Sequence, residues 1–203
     1  MIERCFVMVK PELVQNNGNL GWEALHYLES LLMEHFVDED NHYKSTRVVA
    51  VRLTIPRQAI ELLYQSHKGK QHYSWLVDQC ADKQVILGLY EGQQGLVEEI
   101  GKIAGHKDPA NARKQRYHGN QTIRGKYSPM DETLEKSVIE KRGTMNGFHR
   151  SADIYEAMRE LDIMDQIFNM PLSFSDREWH LTDLVRVLQL KLKDLNQKPE
   201  KVI

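Results

Sequence analysis

Three short apolar runs, RCFVMV (4–9), RVVAVRLTI (47–55) and KQVILGLYEG (83–92), each give way to a segment of helical periodicity. That alternation restricts the fold more than any other feature of the chain. Each run has the length and apolar content of a buried strand. Lys10-Pro11 closes the first run, because proline cannot donate to a ladder, and leaves Lys10 at the strand's tip. The helical segments space their apolar residues three and four apart. Leu25, Leu28, Leu32 and Phe36 do so in 22–36, and Ile60, Leu63 and Tyr64 in a helix entered through Pro56. Two more helices are expected, over 72–81 and over 93–105, the second ended by Gly105.

Residues 106–143 lose this periodicity. They are polar, basic and interrupted by Pro109, Gly119, Gly125, Pro129 and Gly143, and so long an irregular stretch is usually functional or disordered. TMNGF (144–148) reads as a short central strand, and 152–161 as a helix with Ile154, Met158 and Leu161 on its core face. A last amphipathic helix is expected over roughly 176–195, carried by Leu181, Leu184, Leu188, Leu192 and Leu195. The order β-α-β-α-β-α-β predicts an α+β fold. Its form is a ferredoxin-like split βαβ arrangement, an antiparallel four-stranded sheet with helices packed on it. Residues 1–165 are expected to form this domain, with a long insertion at about 111–143, and 166–203 a C-terminal helical extension.

Composition narrows the function by exclusion. A formal net charge of -2 gives no general attraction to nucleic acid, so any phosphate binding must come from local clusters. Cys5 and Cys80 lie far apart with no CxxC, which suggests neither a disulfide framework nor a metal site. The histidines form no HxxxH or HExxH pair, GxxxxGK[ST] is absent, and no strand leads into GxGxxG. MIERCFVMVK enters a strand pattern directly, without a basic region and long apolar stretch, so a cytoplasmic location away from membranes is expected.

Without phosphate-cradling loops, side chains must grip any phosphate. Lys10, Lys68, Lys70, Lys107 and Arg124 are the candidates near strand ends, although each alone is ordinarily a solvated cation. His149, in GTMNGFHRSADIYEAMREL (143–161), stands just before a helix. Helix N-termini attract anions, so a histidine there is badly placed as a cation and well placed to carry or face a phosphate. The ordinary alternative is a hydrogen-bonded structural histidine.

Five segments in register resemble the signature segments of nucleoside diphosphate kinases. They are ERCFVMVKPELV, LYQSHKGK, YEGQQGLVEEIGKIAGHKDPA, TIRG and NGFHRSAD, and the resemblance spans nearly all of residues 3–161. It implies γ-phosphoryl transfer from a nucleoside triphosphate such as ATP to a nucleoside diphosphate, through a phosphohistidine at His149. By the same resemblance Lys10 reaches the phosphates, Tyr64 orients the nucleophile's surroundings, Arg124 contacts phosphate and Asn146 the sugar. Ser151 and Glu160 hydrogen-bond behind the histidine. Mg²⁺ is implied on the nucleotide phosphates, with no metal held by the protein itself. A homo-oligomer, a dimer-based tetramer or hexamer, is implied as well.

The sequence also departs from the family. The base-stacking aromatic falls at His72, beside Tyr73; a second phosphate-binding arginine falls at Gly101, beside Lys102; a phosphate-binding threonine falls at Lys107. Arg-Ser-Ala follows His149, with Asp153 one place late, and 21 residues separate Arg124 from Asn146. The loop that normally completes the nucleotide site is therefore rebuilt. The alternative to an active kinase is a catalytically weak nucleotide-binding or phosphohistidine regulatory protein of the same fold.

Overall fold

β1 (Ile2–Val9) has two buried faces, which is why its sequence is a continuous apolar run. Cys5, Val7 and Val9 enter one apolar cluster while Phe6 and Met8 enter the other, as a period of two requires. The structure, a computed structural model, describes residues 2–15, 19–40, 42 and 44–168. β1 lies between β3 (Lys83–Gln93) and β6 (Phe148–Arg150), and β2 (Ser45–Ile55) pairs with the far side of β3. The order β2-β3-β1-β6 is antiparallel throughout. The connections from β1 to β2 and from β3 to β6 each pass over one intervening strand, so the expected split βαβ sheet is present.

Helices cover both faces. On the first, α2 (Asn19–His35) contributes Leu25, Leu28 and Leu31, and α5 (Leu96–Ala104) contributes Ile100 and Ile103. On the second, Ile60 and Leu63 of α3 (Arg57–Leu63), Val77 of α4 (Tyr73–Cys80), and Leu161 and Met164 of α9 (Ile154–Phe168) pack on Phe6, Met8 and Leu87. Each such side chain contributes about 2 kcal/mol when fully buried. A short helix α1 (Pro11–Val14) follows β1 directly, using Pro11 at its first position.

Several boundaries differ from the sequence reading. The strand expected at 144–148 is instead Phe148–Arg150, and it is an edge strand rather than a central one. The backbone before it bends through Asn146 N–H to Thr144 O and Phe148 N–H to Asn146 O bonds, which cannot extend a ladder. Gly147 has φ +68, and a Cβ there would stand 2.6 Å from Leu13 Cδ1. α9 is longer than 152–161, and its buried face is Ala157, Leu161 and Met164, whereas Met158 is 62% exposed. α3 stops at Leu63, and a 3₁₀ turn covers Gln65–His67. The helix expected over 176–195, with its five leucines, lies outside the described residues.

Residues 106–143 are aperiodic yet ordered. They contain α6 (Pro109–Lys114), a two-strand hairpin of β4 (Arg116–Tyr117) and β5 (Asn120–Gln121), α7 (Ile123–Tyr127) and α8 (Leu134–Ile139). Asp108, Thr122 and Thr133 cap the three helices through their side-chain oxygens. Glu132 ties the segment together: its fully buried carboxylate accepts from Arg142 Nη1 and Nη2 at 2.8 and 2.7 Å and from Met145 N–H at 3.0 Å. Burial alone would raise the Glu132 pKa, but the Arg142 bonds and the Met145 N–H outweigh it and hold the group below its ordinary value. A depressed folded value means stability that is present above the ordinary carboxylate pKa and lost as pH falls through the folded one. Arg142→Ala should therefore cost about 3 kcal/mol at neutral pH, with the difference from wild type shrinking below about pH 4. Denaturant melts at both pH values check this; a difference that persists in acid would assign Arg142 to packing instead.

Candidate functional site

Pairing with β1 decides where the histidine points. His149 lies opposite Met8 in the β1–β6 ladder, so its imidazole emerges on the sheet face of Phe6 and Met8. The rings of Tyr64 and Phe6 lie 5.8 and 6.0 Å away, centroid to centroid. Tyr64 is buried, and burial first, then neighbouring acidic groups, push its phenol well above the ordinary range, so it stays neutral.

Behind the ring, His149 Nε2–H donates to Glu160 Oε1 at 2.9 Å, and Ser151 Oγ–H donates to Glu160 Oε2 at 2.6 Å. Glu160 projects from α9, and Ser151 is fixed by its backbone N–H to Phe6 O at 3.1 Å. A carboxylate only accepts, so it places the imidazole proton on Nε2 and leaves the Nδ1 lone pair free. Of the His149 side chain 16% remains exposed, against 3% for Glu160, so the ring can be reached while its acceptor cannot.

Cations converge on the same place with few countercharges. Lys10 is 4% exposed, and its ammonium makes one long bond, 3.5 Å to Thr144 O. Arg124 is buried, donating from Nε to Phe148 O at 3.0 Å and from Nη1 to Gly105 O at 2.8 Å. Burial first, then the positive charge of Arg150, lowers its pKa to about 10, so it remains a cation at neutral pH. Asn146 donates to Lys107 O at 3.0 Å, while its Oδ1 is buried with no partner among the described residues. A buried acceptor left this way costs about 1–3 kcal/mol unless something donates to it.

The departures resolve in different ways. His72 Nε2 and His67 Nδ1 share a hydrogen bond at 2.8 Å, and both rings line a cleft of about 290 Å³ together with Lys107. Burial first, then His72 and the charges of Lys70, Lys107 and His149, hold His67 below the ordinary imidazole value. Tyr73 turns away, its hydroxyl donating to Glu61 O at 3.4 Å. Lys102 is engaged by Glu98 and Glu99 at 3.0 and 3.1 Å, so its charge is already paired and it does not replace an arginine at 101. Room left by Gly101 is filled by Arg150: a Cβ on Gly101 would stand 3.2 Å from the Arg150 Cζ. Arg150 then donates to Ser151 O and Ala152 O at 2.6 and 2.7 Å, holding the turn after His149. Lys68 and Lys70 are exposed. His67 and Trp75, both lining the cleft, were not singled out by the sequence, although His67 lies within LYQSHKGK.

An imidazole backed by a carboxylate, with buried cations nearby that have no carboxylate partner among the described residues, is an arrangement suited to phosphoryl transfer. Comparison with known proteins agrees. The sequence model of the nucleoside diphosphate kinase family matches residues 3–168. A nucleoside diphosphate kinase of Thermosipho melanesiensis is 28% identical over 172 residues, covering 82% of this chain and 100% of that protein. One from Saccharolobus solfataricus is 28% identical over 162 residues, covering 79% and 93%. Among solved structures, a transition-state mimic of the Borrelia burgdorferi nucleoside diphosphate kinase with vanadate and ADP has a TM-score of 0.63 at 20% identity, covering 80% of this chain and 86% of that one. That likeness is one of fold. The protein is thus a phosphotransferase on a ferredoxin-like sheet. It belongs to the nucleoside diphosphate kinase family. Among the described residues, no helix is long and apolar enough to cross a membrane.

Proposed function

We propose that this chain moves the γ-phosphoryl group of a nucleoside triphosphate to a nucleoside diphosphate in two half-reactions through His149. Nδ1 attacks the γ-phosphorus in line; the N–P bond forms as the bond to the bridging oxygen breaks, and the first nucleoside diphosphate leaves. A second diphosphate then attacks the phosphohistidine, and Nδ1 is regenerated. Nε2 keeps its proton throughout, with Glu160 stabilising the charge that grows on the ring and Ser151 holding Glu160. Lys10 and Arg124 neutralise the phosphates, Lys107 adds charge at the rim, and the free Oδ1 of Asn146 accepts from a sugar hydroxyl. Tyr64 confines the imidazole, and His72 lies along the nucleoside.

Mg²⁺ carried on the nucleotide would supply charge neutralisation at the phosphate oxygens. Among the described residues no three His, Cys, Asp or Glu side chains converge to hold a metal; the site offers donors to phosphate instead. A homo-oligomer, a dimer-based tetramer or hexamer, and a cytoplasmic location complete the proposal, with residues 166–203 as an appended extension.

The observation that carries this reading is the chain His149 Nε2–Glu160–Ser151, which leaves Nδ1 free beside unpaired cations. Its test is brief incubation with γ-labelled ATP and Mg²⁺, followed by unlabelled GDP. Acid-labile, alkali-stable label that leaves as GTP is expected. Gly101 and the His67-bound His72 favour one second reading, a phosphohistidine regulator, and label that forms but does not chase would select it.

A further inference from the structure

The cleft beside the histidine has two apolar walls and only one of them belongs to the ferredoxin-like core. Trp75 and Leu76, both half-buried, line it from α4; Leu134 and Val138 line it from α8. The last two stand four residues apart on one helix face and are 40% and 51% exposed. At its inner end the cleft meets Lys107 and Thr144, whose carbonyl oxygens accept from Asn146 and Lys10 at 3.0 and 3.5 Å. The apolar slot thus ends at residues that themselves hold Asn146 and Lys10.

α8 is held firmly enough to be a wall. Ser137 Oγ lies 2.9 Å from Thr144 Oγ1, Leu134 N–H donates to Asp108 Oδ1 at 3.2 Å, and Arg113 donates to Pro129 O and Glu132 O, both at 2.9 Å. Of the two ring-bearing positions closest in sequence, His72 lines the cleft with its Nε2 tied to His67, and the Tyr73 hydroxyl donates to Glu61 O instead. The indole one turn along α4 lines the same cleft as Leu134 and Val138 and is its largest aromatic surface. A cleft lined by an indole, by the methyl groups of Leu134 and Val138 and by Lys107 matches a planar base joined to phosphates.

We propose that Trp75, Leu134 and Val138 form the nucleobase clamp of this protein, so that the helix lying between Arg124 and Asn146 sets nucleotide affinity and base preference. The proposal rests on the phosphotransfer reading above. Stacking on an aromatic ring changes affinity by about tenfold or more per base. Two measurements test it. In a protein whose other tryptophans are replaced, Trp22→Phe and Trp179→Phe, ADP should quench Trp75 emission, whereas inorganic tripolyphosphate should quench it far less. In Leu134→Ser/Val138→Ser, the ratio of ATP-dependent to phosphoramidate-dependent labelling of His149 should fall about tenfold at limiting donor, because phosphoramidate carries no base. Equal quenching by both anions, no quenching by ADP, or an unchanged ratio in the double variant would overturn the clamp. Labelling from neither donor alongside base-dependent quenching would instead retain the clamp and remove the kinase reading.

Discussion

Replacing His149 by alanine should eliminate the acid-labile label from γ-labelled ATP and lower transfer to GDP by a factor on the order of 10⁴ or more. The groups packed against the ring cannot take its place: Glu160 is 3% exposed and already accepts two hydrogen bonds, and the Tyr64 phenol is buried and neutral. Binding of ADP should survive, because the proposed phosphate contacts, Lys10 and Arg124, are held by backbone carbonyls and not by the imidazole. Glu160→Gln provides the graded control. The amide keeps the volume and can still accept from Nε2–H, but it cannot stabilise charge on the ring, so phosphorylation should slow on the order of 10²-fold with ADP affinity retained. Equal loss of ADP affinity in Glu160→Gln would make the carboxylate a structural element of the cleft. Persistent label in His149→Ala would move the nucleophile elsewhere.

Why some of this was legible and some was not follows from burial. β1, β2 and β3 announce themselves because two-sided burial requires apolar residues at nearly every position, as in Cys5 through Val9. β6 has only three residues at an edge, so His149 and its neighbours carry no strand pattern. Apolar spacing places Leu161 of α9 correctly and Met158 wrongly, because Glu160 points inward to His149 and an inward acid breaks the apolar stripe that periodicity seeks. α6, α7 and α8 span six, five and six residues, too few turns for a 3.6-residue period to show. They are held by polar bonds from Glu132, Arg113 and Asp108, which in a sequence look like loop composition. Lys10, Lys107, Arg124 and His149 are candidates from their positions, but only segment resemblance joins them and adds Tyr64, Asn146, Ser151 and Glu160, since nothing in spacing links Lys10 to Arg124 or His149. Gly101 read as a lost arginine, yet the space it leaves is used by Arg150, a compensation between positions far apart in sequence. Trp75 carries no signal of its own in the sequence, because an aromatic on an amphipathic helix reads as core.

Arg124→Met should separate function from folding. The wild-type guanidinium is buried beside two backbone carbonyls and no carboxylate, and its pKa of about 10 lies below the ordinary value because burial disfavours the charge. Lowered in this way, the cation opposes folding at neutral pH until an anion sits beside it. Methionine removes that penalty but strands Gly105 O and Phe148 O, each worth about 1–3 kcal/mol if unsatisfied. These effects oppose one another, so the nucleotide-free variant should melt within about 2 kcal/mol of wild type. Turnover should nevertheless fall by about 10²–10³, the usual consequence of removing a preorganised donor to transferring phosphate, and ADP should stabilise the variant far less than wild type. Arg124→Lys should recover only part of the activity, because an ammonium cannot hold both carbonyls and still present a second face to phosphate. Thermal melts with and without ADP, read beside kcat, distinguish the outcomes. A loss of apo stability matching the loss of turnover would mean that Arg124 chiefly joins α7 to β6, and Lys10 would then be the main charge facing the transferred group.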